Sequence, residues 1–223
     1  MTPVKVKICG ITRADDARIA AQSGADFVGL NFYSGPRQID LKRAAEILPA
    51  IPSNVIPVAL VDTGSPDFSN LIRALSKDLN IRTFQLYGDW DKTAVPANLK
   101  DALNLWPVLR VAALSDLTGL SERLARISIS PAAILLDAFS PAQPGGTGEA
   151  FNWNWISEAR ASGSLTGAAP IILAGGLTPL NVAQAIQITK PWAVDVSSGV
   201  EVPGQPGIKD ADKIRAFITA AKK

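Results

Sequence analysis

The chain has 223 residues, one cysteine and no histidine, and its 22 lysines and arginines against 20 aspartates and glutamates leave a formal net charge of +2. A single cysteine excludes a disulfide framework or a multi-thiolate zinc site, and the missing histidine excludes Ser-His-Asp triads, Cys-His proteases and His-ligated zinc. The balanced charge, with no long run of either sign, is no nucleic-acid footprint. The first residues, MTPVKVKICG, run into a β-like pattern instead of a signal-peptide apolar core, and no apolar stretch is long enough to cross a bilayer. The expectation is a soluble, cytoplasmic protein that binds neither membrane nor nucleic acid. Proton transfer near neutral pH then falls to Cys, Asp, Glu, Lys or Tyr with shifted pKa values.

Along the chain, short Val/Ile/Phe-rich runs alternate with longer stretches whose apolar residues recur three and four apart, the pattern of βα units and a parallel sheet. Strands are expected at 4–9, 27–32, 55–61, 82–87, 106–111, 132–137, 170–174 and 192–196. Helices are expected near 13–23, 40–50, 66–79, 92–103, 117–127, 153–162, 179–189 and 210–222. Thr12 and Asp15 have capping-box spacing, Gly24 stands where a C′ glycine would close the first helix, and Thr178 followed by Pro179 puts proline at a first helical position. Eight βα units of about 28 residues match an α/β fold of one domain over 1–223, a single (β/α)8 TIM barrel. An open doubly wound sheet would want a glycine-rich fingerprint after the first strand, and KICGIT has one glycine.

In a barrel, alternate strand residues face the lumen, and reactive groups sit at the C-terminal strand ends. Parity assigns Lys5, Lys7 and Cys9 to the lumen, with Gln85 and Tyr87, Asp137, and Asp195 and Ser197 from later strands; Asn31 and Arg110 lie near strand ends. Strands of a parallel sheet are normally near-continuous apolar runs, and a buried charge must be paired. A structural pairing such as Lys7 with Asp195 is one reading of this set, and a reactive site is the other. Cys9 ends its strand with Lys7 one layer below, and a nearby cation favours the thiolate. Asp137 ends the sixth strand before the longest, Gly/Pro-rich loop, 138–151, and completes a base and acid pair. Gly175 and Gly176 follow the seventh strand, Ser198 and Gly199 the eighth; loops there are the recurrent phosphate site of barrels, with glycines letting backbone N–H groups approach an anion. The tryptophans at 90, 106, 153, 155 and 192 lack the spacing of a stacking platform and read as packing.

KICGIT at 7–12, GADFVGLNFY at 24–33, PRQI at 36–39, QLYGD at 85–89, LLDAF at 135–139, GGTG at 145–148, LAGGL at 173–177 and DVSSGVE at 195–201 together closely resemble the phosphoribosylanthranilate isomerase family, (β/α)8 enzymes of tryptophan biosynthesis, nearly end to end. The resemblance implies an Amadori rearrangement of N-(5′-phosphoribosyl)anthranilate, without metal or cofactor. It makes Asp137 the general acid at the furanose ring oxygen and Cys9 the general base at C2′. It also makes Arg37 the holder of the anthranilate carboxylate, Gln85, Tyr87, Arg110 and Asp195 further substrate contacts, and Gly175, Gly176, Ser198 and Gly199 the phosphate cradle. Barrels of this kind occur as monomers and as homodimers. An acid role requires an Asp137 pKa raised from about 3.9, and a base role a thiol pKa lowered from about 8.5. Two departures from the family pattern stand out: Tyr87 replaces the usual histidine of QLHG, and the loop before Pro36 and Arg37 is one residue shorter. The rival readings are a related sugar-phosphate isomerase and a silent barrel that binds a phosphorylated metabolite.

Overall fold

The computed structural model describes residues 3–92, 102–125, 130–138 and 152–223. Eight parallel strands close into a barrel in sequence order: β1 (Lys5–Ile8), β2 (Phe27–Asn31), β3 (Ile56–Asp62), β4 (Thr83–Tyr87), β5 (Asn104–Val111), β6 (Ile134–Ala138), β7 (Ile171–Leu173) and β8 (Ala193–Val196). Closure is made by β1 against β8, with Lys7 beside Asp195 in register. This pairing excludes the open doubly wound sheet.

Outside the barrel run α1 (Ala14–Gln22), α2 (Leu41–Ile47), α3 (Phe68–Lys77), α4 (Leu114–Thr118), α5 (Leu120–Ala125), α6 (Asn154–Ala161), α7 (Val182–Thr189) and α8 (Ala211–Ala221). Each expected strand has its counterpart, shifted by no more than two residues at either end. The helix expected near 92–103 falls mostly on 93–101, outside the described residues, as do the GGTG motif and loop 139–151. The helix expected near 117–127 is two short ones, α4 and α5, separated at Gly119. No helix of the described residues is long and apolar enough to cross a membrane.

Helix ends follow local chemistry, with two corrections. Gly24 closes α1 at φ +97°: its N–H donates to Ala21 O and the next N–H, of Ala25, to Ala20 O, both at 3.0 Å. This is the Schellman pattern, which favours glycine at the left-handed position. The capping box at Thr12 is absent, because Arg13 is the N-cap and the Thr12 hydroxyl instead donates to Gly207 O at 2.6 Å. Pro179 does not open α7. Residues 178–181 form a turn in which Asn181 Oδ1 accepts from Thr178 N, and the helix begins at Val182.

Two apolar cores result. The larger lies between sheet and helices and includes Ile8, Leu30, Phe84, Leu136 and Phe217. The smaller fills the lumen. At its N-terminal end Phe27 and Trp106 pack edge to face at 5.1 Å, Trp192 stands 6.1 Å from Trp106, and the Lys5 ammonium lies 5.1 Å from the Trp192 ring. Trp90 is buried with its N–H on Val108 O, and Trp153 and Trp155 pack on the outer core, in accord with the packing reading. The lumen is thus plugged below and polar above.

A Cβ on Gly24 would meet only Ile218 Cγ2 at 3.8 Å, so substitution there strains the backbone without a clash. Gly24→Ala is expected to lower the unfolding free energy by about 1–2 kcal/mol with an unchanged urea m-value. A midpoint that does not move would refute the left-handed C′ assignment.

Candidate active site

Parity places Lys7 and Cys9 at β1, Gln85 and Tyr87 on β4, Asp137 on β6 and Asp195 on β8 inside the barrel, as read from the sequence. Lys7 is fully buried; its ammonium donates to Asp195 Oδ1 and to Gln85 Oε1, each at 2.9 Å. The Gln85 amide donates onward to Tyr87 Oη at 2.9 Å. The structural pairing of Lys7 with Asp195 therefore exists, and it extends upward toward the mouth. On β2, a Cβ at Gly29 would come within 2.8 Å of Cys9 Sγ and 3.1 Å of Lys7 Nζ. The bare glycine lets thiol and ammonium share that space.

Burial and charge tune these groups in ways that sequence spacing cannot show. Asp137 is raised to about 6, by burial first and then by the charge of Asp195, against the pull of Arg110, the Ala138 N–H and Lys7. This is the direction an acid requires. Cys9 is also raised, by burial and again by Asp195, more than Lys7 and Lys209 lower it. The expected lowering of the thiol is thus overturned. Lys7 is already engaged by Asp195, and one shared cation does not offset the desolvation of a thiolate. Burial likewise holds the Tyr87 phenol well above 10.

At the C-terminal strand ends a cleft of about 750 Å³, open to solvent, is lined by Cys9, Asp137, Tyr87, Asp195, Arg37 and the loops carrying Gly175, Gly176 and Ser198. Three sequence candidates stand apart. Gln85 is buried beneath the cleft, and Gly199 packs behind Leu177. Arg110 lines a neighbouring hollow that shares only Tyr33 and Tyr87 with the cleft, its guanidinium 6.0 Å from the Tyr87 ring. Despite the shorter loop before it, Arg37 reaches the cleft.

Two of the glycines also serve packing. A Cβ on Gly175 would strike the Ala138 backbone, and one on Gly199 the Leu177 carbonyl. Their missing side chains admit protein, locking the β7 and β8 loops against each other and against β6. The N–H groups of Gly175, Gly176, Ser198 and Gly199 meet no acceptor among the described residues. Three of these donors, on Gly175, Gly176 and Ser198, belong to residues that line one side of the cleft.

Sequence reasoning assigned no role to three residues. Tyr33 stacks on Tyr87 with centroids 5.0 Å apart and planes at 8°. Glu201 and Lys209 form a buried cluster with Arg37. Glu201 lies within the DVSSGVE stretch, yet no spacing rule links it to an arginine 164 positions earlier.

Groups able to give and take protons, gathered at the C-terminal mouth of a closed parallel barrel, define an enzyme of the (β/α)8 class. A family model described as N-(5'phosphoribosyl)anthranilate (PRA) isomerase matches residues 6–220. The chain is 40% identical over 226 residues to N-(5'-phosphoribosyl)anthranilate isomerase of Pseudomonas aeruginosa (strain LESB58), covering 100% of this chain and 97% of that one. It is similar to the crystal structure of phosphoribosyl anthranilate isomerase from Thermotoga maritima, with a TM-score of 0.79, 33% identity and 98% of each chain covered. It is similar also to a phosphoribosyl anthranilate isomerase solved in complex with reduced 1-(o-carboxyphenylamino)-1-deoxyribulose 5-phosphate, at a TM-score of 0.76, 31% identity and 98% of each chain. The chain belongs to the PRA isomerase family.

Because folded Asp137 holds its proton more tightly than the unfolded chain does, native stability falls as pH rises from about 4 to about 6. Asp137→Asn removes that penalty. The variant is expected to be about 1–3 kcal/mol more stable than wild type at pH 7.5 by urea unfolding, and nearly equal to it at pH 4. A variant less stable than wild type at pH 7.5 would contradict the raised carboxyl pKa.

Proposed function

We propose that this chain carries out the Amadori rearrangement of N-(5′-phosphoribosyl)anthranilate to 1-(2-carboxyphenylamino)-1-deoxyribulose 5-phosphate, a step of tryptophan biosynthesis, in the cytoplasm and by acid and base catalysis alone. The observation that carries the reading is the meeting of Cys9 and Asp137 in one cleft. They end β1 and β6, which are not neighbours in the barrel, so they come together only across its mouth.

Asp137 donates its proton to the furanose ring oxygen; the C1′–O bond breaks and the aryl nitrogen lone pair forms the C1′=N iminium. The Cys9 thiolate removes the proton from C2′, and that electron pair neutralises the iminium to an enolamine. Ketonisation then leaves a carbonyl at C2′ and a CH2 at C1′. The oxidation at C2′ balances the reduction at C1′, so proton transfers suffice and no cofactor enters the balance.

The remaining residues divide by charge. Arg37 meets the anthranilate carboxylate. The free N–H groups of Gly175, Gly176 and Ser198, which line the cleft, receive the phosphate, where backbone donors suit an anion. Tyr87 is too weak an acid to transfer a proton near neutrality and instead presents its ring, backed by Tyr33, and its hydroxyl. Asp195, fixed by Lys7, faces the reacting carbons, and Arg110 acts on Asp137 from behind.

Loss of anthranilate fluorescence from freshly made N-(5′-phosphoribosyl)anthranilate reads turnover. Cys9→Ala and Asp137→Asn are each expected to lower kcat by roughly 10²- to 10⁴-fold. Near-wild-type rates in either variant would remove that residue from its role. A wild-type protein that binds a phosphorylated compound but turns nothing over would leave a silent barrel.

The reaction needs Asp137 protonated and Cys9 ionised, the reverse of their resting states. Below about 6 Asp137 is already protonated and only the thiolate fraction changes, so kcat/KM climbs with pH. Between about 6 and the raised thiol pKa the two fractions change oppositely and the profile is level, and above that value it falls. In the residual activity of Asp137→Asn the bend near 6 is expected to vanish, so that the climb continues up to the raised thiol pKa and then levels.

A further inference from the structure

Arg37 lines the cleft, yet its closest partner lies outside it. Its Nε and Nη2 donate to the two carboxylate oxygens of Glu201, each at 2.7 Å. A guanidinium carries five N–H donors, so this side-on fork leaves three, two on Nη1 and one on Nη2. Two of those three, one on each Nη, form the end-on edge of the group, the edge that can take a second carboxylate with two parallel hydrogen bonds. None of them meets an acceptor among the described residues. Room for the arginine stem comes from Gly10, where a Cβ would stand 2.5 Å from Arg37 Cδ.

Glu201 is itself firmly held. Its Oε1 accepts from the Lys209 ammonium and from the Gly207 N–H, both at 2.9 Å, and Glu201 and Lys209 face each other across an antiparallel bridge. The Lys209 ammonium also donates to Ser197 O at 3.1 Å. Glu201 does not line the cleft. An Arg–Glu pair alone would be neutral, whereas two cations around one carboxylate leave one positive charge at the cleft wall.

We propose that Glu201 is the positioning residue of Arg37, holding the guanidinium by its side edge so that the end-on edge is presented to the substrate carboxylate, and that Lys209 keeps the pair cationic. This rests on the proposed reaction, in which Arg37 meets that carboxylate. Glu201 touches no reacting atom and acts only through the arginine.

The test compares wild type, Glu201→Gln, Glu201→Asp and Lys209→Met by steady-state kinetics and by binding of anthranilate alone and inorganic phosphate alone. Glu201→Gln is expected to raise KM and the anthranilate Kd roughly 10- to 100-fold, with a far smaller change in kcat. Phosphate affinity is expected to stay put, and Glu201→Asp to recover part of the loss. Lys209→Met leaves the fork but cancels its charge, and is expected to weaken anthranilate by about 3- to 10-fold. Unchanged KM and anthranilate Kd, or equal weakening of anthranilate and phosphate, would overturn the assignment. If Glu201→Gln does not fold, Lys209→Met and the double variant Glu201→Gln/Lys209→Met, which loses the fork but keeps the wild-type net charge of the cluster, decide by the same comparison of the two ligands. Wild-type protein that binds anthranilate without turning over the phosphoribosyl compound would sink the reaction and leave the positioning role intact.

Discussion

A lysine sealed inside a β-barrel is the constraint on which the rest of this molecule depends. An unpaired buried ammonium costs several kcal/mol, so Lys7 has to find partners within the lumen. It finds Asp195 on the neighbouring β8 and Gln85 on β4, and Gln85 in turn holds the Tyr87 hydroxyl. Buried ion pairs of this sort seldom add stability over an apolar filling of the same volume. The pair is better explained by what stands above it: Asp195 is fixed at the cleft floor, Tyr87 is held in the wall, and the Cys9 thiol sits beside a cation.

The same low-dielectric environment then acts on two groups with opposite consequences. Burial and Asp195 raise both the Asp137 carboxyl and the Cys9 thiol. For an acid this keeps a useful protonated fraction near neutrality; for a base it leaves the thiolate a minority. Near neutrality protonated Asp137 and ionised Cys9 are thus both minority species. Around it the mouth is assembled by close backbone approach at Gly175 and Gly199 and by the Arg37, Glu201 and Lys209 cluster, which binds the β8 loop to the loop after β2.

Much of this was legible in the chain. The alternation of apolar runs with helical periodicity placed all eight strands, and period-two parity put Lys7, Cys9, Gln85, Tyr87, Asp137 and Asp195 in the lumen, because side-chain direction in a strand depends only on position within it. Gly24 could be read because left-handed backbone at a helix C′ is a local demand. Thr12 and Pro179 misled because a cap and a turn use the same residues, and the choice fell to a partner as distant as Gly207. The sign of the Cys9 shift was misread because spacing shows the lysine below but not the depth of burial around both.

By itself, then, the amino-acid order determined what is local: which segments are strands, which faces point inward, and which residue types reach the barrel mouth. Whatever arises between distant parts of the chain was decided by the closed barrel. Closure set Lys7 against Asp195, brought Cys9 and Asp137 into one cleft, turned Gly175 and Gly199 into packing devices and gave Arg37 its carboxylate partner. Desolvation and Coulomb energy depend on distance and dielectric in three dimensions, and neither is encoded in the spacing of residues along a strand.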